Sequence, residues 1–405
     1  MSQALETADP TKAVEHASGG TSPRAWRDRL ARGEIGSLAV IAGIALVWAV
    51  FTVLNPNFLT ARNLSNLVLQ IAATGTISVG VVLVLLLGEI DLSIGAVSGL
   101  GAAVMAVLNV NHHWPAAAAI LAGLLVGAVI GAFQGMWFSR LSIPSFVVTL
   151  AGLLAWQGVL LRVLGSQGTI NLLDPGIDAL AGEFLAPAVG WALALVCFVL
   201  YAVSLFQRRQ RRAKAGLDLP AAGSLLWQLL LVGVLVAAAV AVLNAARGVP
   251  WALLILLALV VGFDFVARRT RFGRCIFAVG GNAEAARRAG ISVSGIRVAV
   301  FTLAGSLAAC GGILAASRLL AVNQSSGGSD LLLNSIAAAV IGGTSLFGGR
   351  GTVWSALTGA LLIGSISNGM DLLALSSAIK FIVTGGVLLA SVSIDAVARR
   401  GPRAA

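Results

Sequence analysis

Twelve long apolar runs account for most of this chain, and they restrict its fold more than any single motif does. They span residues 37–55, 67–87, 92–110, 115–137, 145–164, 186–206, 223–243, 250–267, 298–317, 331–347, 352–369 and 374–395. Nearly all match what an α-helix needs to cross a hydrocarbon core ~30 Å thick, at a rise of ~1.5 Å per residue. Inside such a core every backbone N–H and C=O must find a partner within the protein, so only helices and closed barrels can span it. Barrel strands alternate apolar and polar residues, and these runs do not. With 58% hydrophobic and 11% charged residues, the chain is far from the ~25% charge of soluble domains. The expected fold class is all-α: a polytopic membrane protein of about 10–12 transmembrane helices, of which the short, Gly-rich segments 331–347 and 352–369 leave room for one to be re-entrant.

The net charge of +11 does not call for a nucleic-acid partner, because Lys and Arg of polytopic proteins collect in cytoplasmic loops. With the N-terminus in the cytoplasm, 22 of the 27 basic residues fall on that side, in 1–35, 208–214, 268–297 and 399–403 and at Arg140 and Arg350. Arg62, Arg162, Arg247, Arg318 and Lys380 fall on the other. Both termini are therefore expected in the cytoplasm. The polar residues 1–35 read as a disordered tail. They do not read as a signal peptide, because the first apolar run starts near Ser37 without a cleavage site. Residues 36–396 form the transmembrane domain and 397–405 a short C-terminal tail. Cys197, Cys275 and Cys310 are odd in number and show no metal-ligand spacing, so neither a disulfide framework nor a metal site is expected.

Two short motifs interrupt the apolar pattern. Gly88-Glu89-Ile90-Asp91-Leu92-Ser93-Ile94-Gly95 and Gly342-Gly343-Thr344-Ser345-Leu346-Phe347-Gly348-Gly349 share the form Gly-x-x-x-Leu-x-x-Gly. Each follows an apolar run and precedes a helix rich in small residues, which hints at two related halves. Carboxylates facing lipid cost ~2.5–3.5 kcal/mol each, so Glu89 and Asp91 belong at a boundary or in a cavity. They and Ser93 either cap the next helix or hold helices that move, with Gly343 and Thr344 in the corresponding place.

The third motif is the basic loop 268–297. Arg268, Arg269, Arg271 and Arg274 make a collar at the membrane surface, and Gly280-Gly281 is expected to break the chain. Asn282 is a good N-cap, and Ala283 to Ala289 favour helix. Gly290 is a natural stop. Glu284 in the first turn, and Arg287 and Arg288 in the last, suit the helix dipole. A helix of about two turns is marginal alone, so it either packs into a partner's groove or lies on lipid.

Several chemistries have no residues to carry them. None of the three lysines follows a glycine, so no Gly-x-x-x-x-Gly-Lys phosphate loop exists. No nucleophile–base pair or metal cluster is visible, so no catalytic residue is assigned and the chain reads as a non-enzymatic subunit. Ionisable groups within the runs are sparse, which argues against ion-coupled carriage.

Together, GEIDLSIGAVSGL, GGNAEAARRAGI and AAAVIGGTSLFGGRGTVWSALTGALLIGSISNGM resemble the permease subunits of bacterial ABC importers for simple sugars, in order and spacing over nearly the whole membrane region. The resemblance implies that Gly281, Asn282, Glu284, Ala285, Ala286, Arg287 and Gly290 form a coupling element docked into an ATPase subunit. It implies a homodimer, two cytoplasmic ATPase subunits that use ATP and magnesium, and a periplasmic sugar-binding protein, with no cofactor on this chain. The extra hairpin at 186–243, whose cytoplasmic turn is expected at the basic run Arg208 to Lys214, is similar to that of D-xylose permeases, and the expected cargo is D-xylose. Asn334, Ser345 and Asn368 are candidates for the sugar path, and Asn323 to Asp330 could face the binding protein. Competing readings are a permease for another sugar, a nucleoside or a branched-chain amino acid, and a secondary transporter independent of any ATPase.

Overall fold

The structure is a computed structural model that describes residues 35–217 and 222–399. The expected N-terminal tail, apart from Ile35, and the C-terminal tail from residue 400 lie outside the described residues.

Helices dominate. In chain order they are α1 (Ile35–Leu54), α2 (Ala61–Leu86), α3 (Ile94–Ala106, continued by a π-helical turn to Asn111), α4 (Ala116–Leu141) and α5 (Ser145–Leu164). A short α6 (Pro175–Gly182) precedes the hairpin of α7 (Pro187–Lys214) and α8 (Ala222–Ala246), which is followed by α9 (Trp251–Arg269). The basic loop then holds α10 (Arg271–Gly281) and α11 (Ala283–Arg288), and α12 (Val293–Leu319), α13 (Ser329–Ile341), α14 (Trp354–Leu372) and α15 (Ser377–Arg399) complete the chain. Among the described residues, eight helices are long and apolar enough to cross a membrane.

The core forms around α12, which packs along α2, α3 and α4. Lipid offers apolar side chains no gain from burial against each other, so association depends on close packing. Gly123, Gly127, Gly131 and Gly135 recur every fourth residue along α4 and supply it. A methyl group on Gly127 would overlap the Gly305 carbonyl oxygen of α12, and one on Gly131 would overlap that of Phe301. Two antiparallel strand pairs tie one end of the bundle: β1 (Thr169–Asn171) with β4 (Ala321–Asn323), and β2 (Phe184–Leu185) with β3 (Val249–Pro250). This is called the distal end below. The opposite end, where α2 stops and the basic loop lies, is the junction end.

Three expectations change. Segment 331–347 is not a full span, because α13 has 13 residues and rises only about 20 Å. Its N-terminus is reached by a non-helical loop that turns back into the bundle, with Gly327 packed on Gly95 and Gly99 of α3. That loop satisfies its own backbone: the Asn323 carbonyl accepts from Ser326 N, and the Asn323 side chain accepts from Ser325 N. Irregular backbone is tolerated inside a bundle where it is satisfied internally or lines a cavity. Second, Gly280-Gly281 does not break the chain ahead of a single helix, because residues 271–281 already form α10, capped by the Thr270 hydroxyl accepting from Gly273 N at 3.1 Å. The break falls at Asn282, whose backbone is extended. Third, α7 runs for 28 residues and carries the basic run in its last turns. Arg and Lys are good helix formers and favourable at a C-terminus, so the run is helix and not turn.

Gly131→Val should destabilise the bundle by ~2 kcal/mol or more through overpacking. Gly158→Val in α5, where nothing stands within 4 Å, should cost under ~0.5 kcal/mol. Equilibrium unfolding in mixed micelles compares the two, and equal losses would refute backbone-limited packing of α4 on α12.

Candidate functional site

At the junction end, three separate parts of the sequence meet backbone to backbone. Leu86, the last residue of α2, accepts a hydrogen bond on its carbonyl from Gly349 N at 3.0 Å. Gly280, in the last turn of α10, lies against that same carbonyl so closely that a Cβ would overlap it, and the Cβ would also stand 2.8 Å from Gly349 N. Gly88 (φ 75°) and Gly348 (φ 81°) both adopt the left-handed region that favours glycine, and each packs on the other's backbone. The two short motifs are therefore in direct contact, and the root of the basic loop rests on both.

The first motif is clamped by side chains from its neighbours. Ile90 N donates to Ser145 Oγ at 3.2 Å, and Leu92 N donates to Thr149 Oγ1 at 3.1 Å, both on α5. Asp91 is buried and accepts from Ser93 N (2.8 Å) and Ser93 Oγ (2.7 Å), forming a capping turn ahead of α3. Burial pushes the Asp91 carboxyl above the usual carboxylate range, while the bonds from Ser93 and Ile94 pull it down. Ser93 also reaches Gln134 of α4 at 3.0 Å. Glu89 does not cap; it forms an ion pair with Arg297 at 2.7 Å, and that guanidinium also stands 5.6 Å from the centroid of the Phe138 ring. Arg297 follows the basic loop on α12, so a second contact ties the loop's far end to the first motif. In the second motif Ser345 N donates to Arg350 O at 3.0 Å, and Thr344 is buried with its hydroxyl unpartnered. Gly343 has φ 104° and open space around it.

The small helix α11 is held as its sequence suggested. Asn282 Oδ1 accepts from Ala285 N at 2.9 Å, and Glu284 pairs with Arg287 (2.9 Å) and Arg288 (3.2 Å). Gly290 ends the helix with φ 82°. Only Ala286 is buried, while Glu284, Ala285 and Arg287 are exposed together with Gly281 and Asn282. What the sequence did not reveal was Arg297 as the partner of Glu89, because the two lie far apart along the chain. It also concealed the seating of Gly280, whose only signal was a glycine pair in a loop.

A cavity of about 650 Å³ opens at the distal end among α2, α12, α13, α14 and α15. Asn334 lines it, as do Asn323, Ser325 and Ser326 of the inturned loop. Asn368 lines an adjoining chamber of about 530 Å³ and accepts from the Asn63 side chain at 2.7 Å. Gln70 and Arg318 line both chambers. Ser345 lies elsewhere, in the junction. The segment Asn323 to Asp330 contributes to the wall of this cavity, with Ser325, Ser329 and Asp330 exposed.

The bundle thus carries a chamber with polar residues on its wall at one end and a clamped junction with an exposed helix at the other. The family described as branched-chain amino acid transport system / permease component matches residues 63–392. The chain belongs to that permease family. Among curated members, the xylose transport system permease protein XylH of Escherichia coli K12 is 38% identical over 362 residues, covering 89% of this chain and 92% of that protein. Its counterpart from Haemophilus influenzae is 36% identical over 364 residues, covering 88% and 95%. The ribose import permease protein RbsC of Escherichia coli K12 is 32% identical over 357 residues, covering 88% and 92%. No solved structure matches the chain.

For this permease, the Glu89–Arg297 pair gives a direct test of the junction. Its side chains are 13% and 26% exposed, so solvent screens them only in part. Glu89→Gln and Arg297→Gln should each cost ~1–3 kcal/mol, and the double variant should cost less than the sum by ~1–2 kcal/mol. Unfolding of all three variants in mixed micelles measures the coupling, and strict additivity would show that the pair is idle.

Proposed function

We propose that the chain is the membrane-spanning permease of an ATP-driven importer that carries a monosaccharide, D-xylose first, across a bacterial inner membrane. One observation carries the mechanism: the root of the exposed helix α11 rests on the Leu86 carbonyl and Gly349, while Arg297 beyond it pairs with Glu89. A force applied to α11 therefore acts on both junction motifs at once, and through α2, α3, α13 and α14 on the walls of the cavity.

In this reading two copies form the translocation unit, and each α11 enters a cytoplasmic ATPase subunit. ATP and magnesium belong to those subunits, and this chain supplies movement and no chemistry. Closure of the ATPases displaces α11, the junction tilts the half-length helix α13 and α3, and the distal cavity accepts sugar from a periplasmic binding protein. The distribution of basic residues along the sequence, with 22 of 27 in the segments expected on one side and Arg140, Arg297 and Arg350 of that set near the junction, supports placing the junction end and both termini in the cytoplasm. Xylose as cargo is supported by the names of two of the relatives above and by the α7–α8 hairpin.

Glu284→Arg combined with Gly290→Asp should reduce ATP-driven xylose uptake in proteoliposomes to that of vesicles without ATP. The first change reverses the charge in the first turn and removes both Glu284 ion pairs. The second strains a left-handed position by ~1–2 kcal/mol, and both effects stay local to an exposed helix. Uptake at the wild-type rate in this variant would remove the coupling role of α11. Uptake of leucine and not xylose by the wild-type complex would replace the cargo.

A further inference from the structure

The sequence places only five cations away from the basic side, and two of them, Arg318 and Lys380, line the distal cavity. Asp371 lines it too and is ion-paired through Oδ1 with Lys380. Asp371 is also within electrostatic reach of Arg318. Among the described residues, no carboxylate stands at ion-pair distance from the Arg318 guanidinium, and no side chain binds the second oxygen of Asp371. Phe381, the residue after Lys380 on α15, contributes an aromatic ring to the same cavity and is 44% exposed.

This combination matches one kind of cargo. A pentose ring carries adjacent hydroxyls that each donate and accept, and it presents an apolar C–H face. A carboxylate oxygen with open lone pairs accepts from one hydroxyl, and a guanidinium with five fixed donors gives to its neighbour. Both are hydrogen bonds to a charged group, stronger than neutral ones. A chamber of about 650 Å³ is within the range of small-molecule sites. Arg318 also borders the second chamber, so a ligand held there sits where the two spaces meet.

Resting on the function proposed above, we infer that Arg318 and Asp371, with the ring of Phe381, form a low-affinity pentose subsite in the distal cavity. Lys380 acts as a positioning residue that holds the Asp371 carboxylate. The subsite receives the sugar before it passes toward the junction, and it selects for an intact vicinal diol.

The test uses the permease–ATPase complex in lipid nanodiscs, without any binding protein, and saturation-transfer NMR with millimolar D-xylose. The wild-type complex should transfer saturation to the sugar. Arg318→Gln and Asp371→Asn should each weaken binding about tenfold, the loss of one hydrogen bond to a charged group. Phe381→Leu should diminish saturation of the ring C–H protons while retaining binding. Size-exclusion elution with the ATPase verifies that each variant is assembled. Equal saturation in wild type and both charge variants would overturn the subsite. So would an intact sugar signal in the variants accompanied, in a parallel ATPase assay with the binding protein added, by loss of its stimulation of ATP hydrolysis, which would make the cluster a protein-docking surface. Failure of the wild-type complex to take up xylose in vesicles is a different result, and it would overturn the proposed function itself.

Discussion

A backbone that cannot hydrogen-bond to solvent must satisfy itself, and that requirement explains both the regular and the irregular parts of this bundle. Long helices meet it internally. Where the chain departs from helix between α2 and α3, Ser145 and Thr149 of α5 take the freed N–H groups of Ile90 and Leu92, and Asp91 takes that of Ser93. Where it departs before α13, Asn323 and Ser326 close a compact loop. At both places the broken backbone is supplied with partners, and the two places form the junction and line the cavity.

The junction works by contact between backbones and not between long side chains. Gly88, Gly280, Gly348 and Gly349 bring three chain segments close enough that even a methyl group would intrude at most of them. Side chains in such a seam could change rotamer and absorb a displacement, whereas abutting peptide units pass it on. The Glu89–Arg297 pair adds a second point of attachment at the other end of the loop. Two fixed points hold the basic loop at either end, with α11 exposed between them.

Much of this was legible in the residues. Apolar run lengths located each of the eight described helices long and apolar enough to cross a membrane, and Asn282, Glu284, Arg287 and Gly290 defined α11, because caps and dipole effects act locally. What stayed hidden depended on distant partners. α10 is amphipathic, burying Gly273, Ile276 and Val279, and two glycines near its end disguised it as a turn. The truncated α13 read as a span because Gly342 to Phe347 continue its apolar character without continuing its helix. Asn334 lines the cavity and Asn368 the adjoining chamber, but nothing in their spacing announced Arg318 and Asp371 on the cavity wall.

The α7–α8 hairpin is attached in an economical way. Its chief contact with the bundle is α8 along α2, and the segments just outside it are already zipped together, with Leu185 opposite Val249 and Phe184 opposite Pro250. Entry and exit points that lie side by side let a stretch of about sixty residues be inserted or excised without rerouting the rest of the polypeptide. Such an appendage can diverge freely among related permeases while the inner helices, and the seam they meet at, keep their places.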